Sequence, residues 1–219
     1  MKLYSYYSDV PVIGAFDSLK LIALWRQHWT AAGWEPFVLN EWHARQHPRY
    51  AEFHSKLCVL PSVNPKEYEI ACYLRWLALA QVGGGWMADY DVFETKAPGA
   101  PPHWHELTGA ELGKIQIFQT PCCPCLVWCS ADNAVQFLEQ ASTGQYGRRE
   151  INGSAHYSDQ YALEDLHMAR VPWIEIRDMV KLWSDKGWET APVVHYANAV
   201  CQPQGKTPRW QHIPGLLKP

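Results

Sequence analysis

The spacing of apolar and polar positions predicts a succession of short elements. Residues 2–7, where Leu3, Tyr4, Tyr6 and Tyr7 are interspersed with Lys2 and Ser5, read as a first strand, broken by Val10-Pro11-Val12-Ile13-Gly14. Over 17–32 the apolar positions Leu19, Ile22, Ala23 and Trp29 recur at helical spacing, and Gly33 follows as a stop. Pro36-Phe37-Val38-Leu39 reads as a second strand, so the chain opens as a βαβ unit. Residues 45–57 predict a short polar helix interrupted near Pro48. A stronger helix follows over 66–82, with Asn64 as cap, Pro65 at the first helical position and Glu67 completing a capping box. Its stripe is Ile70, Leu74, Leu77, Ala78 and Gln81, and Gly83-Gly84-Gly85 ends it.

Trp86-Met87-Ala88 is a short apolar run that predicts a buried strand, and it delivers Asp89-Tyr90-Asp91 at its carboxyl end. Pro98 to Pro102 reads as a loop. Strands are expected at 115–119 and 126–129, a helix at 131–141, and a glycine-rich loop at 144–153. Ser158 looks like the cap of a helix running to about 170, and strands follow at 173–176 and 193–196. A proline-rich, weakly structured tail is expected to close the chain. With no internal repeat and no linker, the pattern predicts a single α/β domain over 1–219, a mostly parallel sheet flanked by helices.

Composition narrows the function. At net charge −3 and pI near 6.3 the chain has no basic field for a phosphate backbone, which excludes a dedicated nucleic-acid binder. No apolar run approaches the roughly 20 residues that span a bilayer, and the opening residues lack the succession of a secretory signal. Seven cysteines, an odd number in a chain of this size, point to a reducing, cytoplasmic setting. Cys122, Cys123 and Cys125, with Cys129 beyond, lack the two separated pairs of a zinc motif and read as packed free thiols. Twelve tryptophans and eleven tyrosines suit either core packing or stacking on sugar rings, and composition does not choose between these.

The chemistry concentrates at Asp89 and Asp91. In an extended chain alternate side chains share a face, so the two carboxylates point together while Tyr90 points away. Such a pair suits a hard divalent ion, Mn2+ or Mg2+, that keeps coordination positions open for a diphosphate. Ser158-Asp159-Gln160 places an acid and an amide at a helix start, where the dipole alone would also favour the acid.

The run from Arg75 through an apolar helical stretch and paired glycines to Asp89-Tyr90-Asp91 resembles the DXD-containing sugar-transferase region shared by alpha-1,6-mannosyltransferase-like enzymes, capsular polysaccharide transferases and large clostridial glucosylating toxins. The family pattern is Ser-Asp-x-x-Arg, seven residues, then Gly-Gly-x-Tyr-x-Asp-x-Asp. The likeness covers about residues 65–95, and element order carries it through the remainder. Here Cys72 stands where many relatives have an Asp that contacts the donor sugar. One residue is inserted between Arg75 and Asp89, and Trp86 or Met87 replaces the tyrosine.

The resemblance implies a GT-A (Rossmann-like) fold and a metal-dependent glycosyltransferase that moves a hexose from a nucleotide-sugar donor, UDP favoured over GDP, to a saccharide or glycoprotein acceptor, with configuration mostly retained. It implies Asp91 as direct metal ligand with His195, and Asp89 reaching the ribose and the metal's water shell. Arg75 and Lys206 would lie at the donor, the latter on a basic closing tail. Tyr6 and Tyr7 would hold the nucleotide base, and Asp159 and Gln160 would face the reacting sugars. Two other classes remain open at this point, a metal-dependent phosphoesterase or phosphatase and a non-catalytic carbohydrate-binding protein. The dehalogenase-like phosphatases place Asp-x-Asp after the first strand with Thr or Val two positions on, where this chain has Phe93.

Overall fold

The computed structural model describes residues 1–10, 15–95, 103–197 and 209–216. The amino-terminal half contains β1 (Lys2–Tyr6), α1 (Ala15–Ala31), β2 (Glu35–Leu39), α2 (Glu41–Arg45), α3 (Tyr50–Leu57), α4 (Lys66–Gln81), β3 (Gly84–Ala88) and β4 (Val92–Glu94). Then come α5 (Gly109–Leu112), β5 (Ile115–Gln119), β6 (Cys123–Ser130), α6 (Ala131–Ala141) and the hairpin β7 (Arg148–Ile151) and β8 (Ser154–Tyr157). The chain continues through α7 (Asp159–Met168), β9 (Ile174–Ile176), β10 (Val180–Leu182), β11 (Val193–His195) and α8 (Arg209–Leu216).

The central sheet has six strands in the order β2-β1-β3-β6-β5-β9. Only β6 runs against its neighbours, so the sheet is mostly parallel, as the pattern predicts. Side chains alternate between two apolar layers. Tyr4, Met87, Val127 and Ile117 face a layer formed with Tyr73, Trp76 and Leu77 of α4 and Phe137 and Leu138 of α6. Leu3, Trp86, Leu126 and Phe118 face the other, with Leu21, Trp25 and Trp29 of α1. A small sheet, β10-β11-β4, lies on this second side.

The tryptophans decide between the two uses left open by composition. Trp25, Trp29, Trp34, Trp76, Trp86 and Trp104 are all buried, and Trp34 meets Trp29 and Trp86 edge to face at 5.4 and 5.9 Å. Edge-to-face pairs of this kind add about 0.5–1.5 kcal/mol beyond the area they bury. They form the core.

Helix α4 departs from a one-sided stripe. From Tyr73 to Ala80 every residue is buried, because the helix packs under the sheet and is covered by α2 and α6, while Gln81 is exposed. The expected cap is also replaced: Pro65 occupies the N-cap without a side-chain bond, and Asn64 instead donates through Nδ2 to Glu69 Oε1 at 2.6 Å. Of the helix expected over 45–57, α3 (50–57) forms after the interruption at Pro48, while α2 lies before it at 41–45 and was not expected. The glycine-rich 144–153 stretch is largely the β7–β8 hairpin, and the tail expected to be weakly structured carries α8. Residues 98–102 and Lys206 lie outside the described residues.

Gly84 turns α4 into β3 with φ +82°, and a Cβ there would sit 2.6 Å from the Cys129 carbonyl oxygen and 2.7 Å from the Ala131 nitrogen. Neither backbone atom can give way without breaking the β3–β6 ladder. Gly84→Ala is therefore expected to cost well over the roughly 1–2 kcal/mol of a left-handed non-glycine residue. Gly33→Ala, at φ +87° with nothing within 4 Å of the new Cβ, should cost about that strain alone. Urea denaturation of both variants checks this, and equal losses would refute the steric account.

Candidate active site

Strand β1 has β2 on one side and β3 on the other, so the sheet changes its winding direction between β1 and β3. At such a point the connections leave to opposite faces and open a crevice beyond the carboxyl ends of the strands. A cleft of about 670 Å³ lies there, and it collects Tyr6 and Tyr7 after β1, Asp89 and Asp91 after β3, and Arg75, Asp159, Gln160 and His195. A second hollow of about 710 Å³ lies at the opposite ends of β1 and β3, beside Met1, Lys2, Gly84 and Trp128, and Glu106 is the carboxylate in its lining.

Asp89 is fixed by an extension of the sheet, since its N–H donates to the Cys125 carbonyl at 2.7 Å, one step beyond the Ala88–Leu126 pairing. Arg75, on the buried side of α4, reaches two of the acids of the cleft wall, Asp89 and Asp159. Its Nη1 donates to Asp89 Oδ1 at 2.9 Å, and its Nε and Nη2 donate to Asp159 Oδ2 at 3.0 and 2.5 Å. Trp76 Nε1 donates to the same Asp159 oxygen at 3.0 Å. Ser158 caps α7 by accepting from Tyr161 N–H, which sets Asp159 in the first turn as its sequence suggests. Burial works against the Arg75 charge, but Asp159 and Asp89 outweigh it and hold the guanidinium well above its ordinary range. A charge buried in this way is tolerated because every partner is charge-assisted.

Asp91 belongs to a second group. Its Oδ2 accepts from Arg209 Nη1 at 2.6 Å, and its Oδ1 lies 3.4 Å from His195 Nε2. His195 Nδ1 faces Gln119 Oε1 at 2.9 Å, and that amide oxygen also accepts from the Cys125 thiol. An amide oxygen only accepts, so Nδ1 carries the proton and Nε2 is turned toward Asp91. Burial raises Asp89 to about 7, reinforced by Asp91 and opposed by Arg75. Asp91 goes the other way: burial would raise it, but His195 and Arg209 lower it below the usual carboxylate range. One ligand atom each from Asp89, Asp91 and His195 lies within 4.8 Å of the others.

Farther along the wall the cleft is lined by tyrosines, with no tryptophan among the described lining residues. Tyr7 packs edge to face on Tyr90 at 6.2 Å, while the buried Tyr6 hydroxyl has no partner. Cys72 also faces the cleft. Glu69 is buried, with Oε1 bonded to Asn64 and Oε2 unpartnered, and burial pushes its carboxyl up to about 7.

Over 97% of its length the chain superposes on 98% of the crystal structure of a glycosyltransferase involved in the glycosylation of the major capsid of PBCV-1, with TM-score 0.58 and 10% identity. The chain shares the fold of a glycosyltransferase. Residues 3–101 match a family described as a domain of unknown function, DUF8765. No curated protein matches the sequence.

Eight of the nine residues expected at the site therefore line one cleft, and the ninth, Lys206, lies outside the described residues. Glu69 and Arg209 also line it and were not expected, nor were Gln119 and Trp76, which stand behind His195 and Asp159. Glu69 was hidden as an apparent surface acid in the first turn of α4; Gln119 and Arg209 have no motif around them and arrive only through folding.

Glu69 gives the site a measurable signature. Its folded pKa, about 7, exceeds the ordinary 4.5, so the stability linked to it is full below about pH 4.5 and is lost as pH rises through 7. The stability of Glu69→Gln relative to wild type should thus improve by up to about 3 kcal/mol between about pH 4.5 and about pH 8. Urea denaturation at both pH values measures it, and a difference independent of pH would contradict the assigned shift.

Proposed function

We propose that this protein is a metal-dependent glycosyltransferase that moves a sugar from a nucleoside-diphosphate donor, UDP favoured over GDP, to a saccharide or glycoprotein acceptor. The observation that carries the reading is the convergence of Asp89, Asp91 and His195 at the carboxyl end of β3, inside a cleft at the switch point of a glycosyltransferase fold. Two carboxylates and one imidazole form a donor set suited to Mn2+, and to Mg2+ when the carboxylates dominate. The fit is supported by His195 itself, whose Nδ1–H is held by Gln119 so that Nε2 is presented, the arrangement usual behind a metal-ligating histidine. When bound, the cation neutralises the charge that grows on the diphosphate leaving group.

The chain's own residues account for the rest. Arg75, fixed by Asp159, which also accepts from Trp76, sets the position of Asp89. In the proposed complex Asp89 reaches the donor ribose, Tyr6 and Tyr7 flank the base, and Gln160 faces the sugars. Transfer with retention needs no protein base: the acceptor oxygen bonds to the anomeric carbon, the bond from that carbon to the phosphate oxygen breaks, and the acceptor proton passes to the departing phosphate. Asp159 supports this course, because Oδ2 already accepts from three donors and acts in positioning.

A specific observation favours a second course. Glu69 lines the cleft with an unpartnered Oε2 and a carboxyl poised near neutral pH, which is what an inverting enzyme asks of its base. Product anomeric configuration, read by proton NMR, distinguishes the two.

Calorimetry with a panel of UDP and GDP sugars and Mn2+, together with assay of released nucleoside diphosphate, tests the proposal. One nucleotide sugar is expected to bind in an EDTA-sensitive manner. Asp91→Asn, which keeps the shape of the Arg209 and His195 contacts, should weaken that binding by about a hundredfold or more. Binding that survives both EDTA and the substitution would overturn the metal assignment, and phosphate release from simple monoesters would replace transfer with phosphoester hydrolysis.

A further inference from the structure

The cysteines of β6 acquire a meaning in the fold that their spacing alone does not convey. Cys123 and Cys125 are alternate residues of β6 and so share one face of the strand. That face meets β11, and one ligand atom each from Cys123, Cys125 and His195 lies within 4.8 Å of the others. In a tetrahedral zinc site, with Zn–S near 2.3 Å, neighbouring sulfurs are about 3.8 Å apart, so these three groups need only small rotations to close on one ion. Cys125 and His195 are buried, and Cys123 is half-buried and lines the cleft, which gives a cation a route in and a dry place to rest.

We propose that Cys123, Cys125 and His195 form a site for a thiophilic divalent cation of the zinc class, mutually exclusive with the hard-cation site built on Asp89, Asp91 and His195. Exclusion follows from the shared imidazole. A metal-bound histidine offers one lone pair, since its other nitrogen, here Nδ1 facing Gln119, keeps its proton, so it serves one cation at a time. On binding, the protons on the thiols and on His195 Nε2 leave to solvent, and the fourth position falls to water or to Asp91, whose Oδ1 is 3.4 Å from His195 Nε2. Softness divides the two sites: thiolates select zinc and its congeners, carboxylates select manganese and magnesium. A zinc-class ion would therefore withdraw His195 from the carboxylate pair, and this consequence for sugar transfer rests on the proposed function, whereas the binding itself does not.

The test uses the reduced full-length protein and Co2+ as a spectroscopic substitute for zinc, without nucleotide sugar. One equivalent is expected to produce a near-ultraviolet thiolate-to-cobalt charge-transfer band, which one equivalent of Zn2+ then abolishes. Cys123→Ser should weaken cobalt affinity by more than the roughly 10–100-fold lost when a group behind a ligand is removed. Asp89→Asn should leave the band intact. Independently of any variant, Zn2+ should slow alkylation of Cys123 by a maleimide, read by peptide mass spectrometry. Cobalt binding without the band, a band unchanged in Cys123→Ser, or alkylation of Cys123 indifferent to zinc would each overturn the proposal. Because no donor is present, the sugar-transfer reading can fail while this one stands.

Discussion

The buried guanidinium of Arg75 is the contact on which the cleft depends. It joins three separate stretches of chain: α4, which supplies it; the end of β3, which supplies Asp89; and the first turn of α7, which supplies Asp159. Desolvating one such charge costs several kcal/mol unless its partners are complete, so the three elements are held together or none is well placed. Trp76 reinforces this with the indole N–H it gives to Asp159, and its ring packs on Phe137 of α6 with centroids 4.6 Å apart. The polar wall of the cleft and the apolar layer beneath the sheet are thus continuous.

Around that contact the cleft is divided electrostatically. Asp89 shares its guanidinium with Asp159 and resists ionisation, whereas Asp91 has Arg209 and His195 close by and ionises readily. Two acids two residues apart therefore have different characters, which follows from their partners rather than from their own chemistry.

Local patterns made much of this legible before the fold was known. The apolar run of α4, the glycines after it and the short strand before Asp89 are encoded by neighbours in sequence, and so is the Ser158 cap of α7. Where the reading missed, distance along the chain is the reason. Gln119 meets His195 across 76 positions, and Asp159 meets Trp76 across 83. Nothing near Gln119 marks it as the group that orients a histidine. Strand β7 and the turn after it were read as a loop because Gly144, Gly147 and Gly153 punctuate 144–153, although these glycines flank or join strands. Asn64 carries every local mark of a cap, yet a buried carboxylate at Glu69 competes for its amide and wins.

The ion pair between Asp91 and Arg209 spans 118 positions. A polypeptide under synthesis can form β1, α4 and β3 early, from contacts close in sequence, but it has no partner for this oxygen of Asp91 until residue 209 has left the ribosome. Assembly of the cleft is consequently a late event in folding, governed by a long loop closure rather than by local structure. Chains that end before residue 209 would lack this ion pair and the hold it gives one oxygen of Asp91.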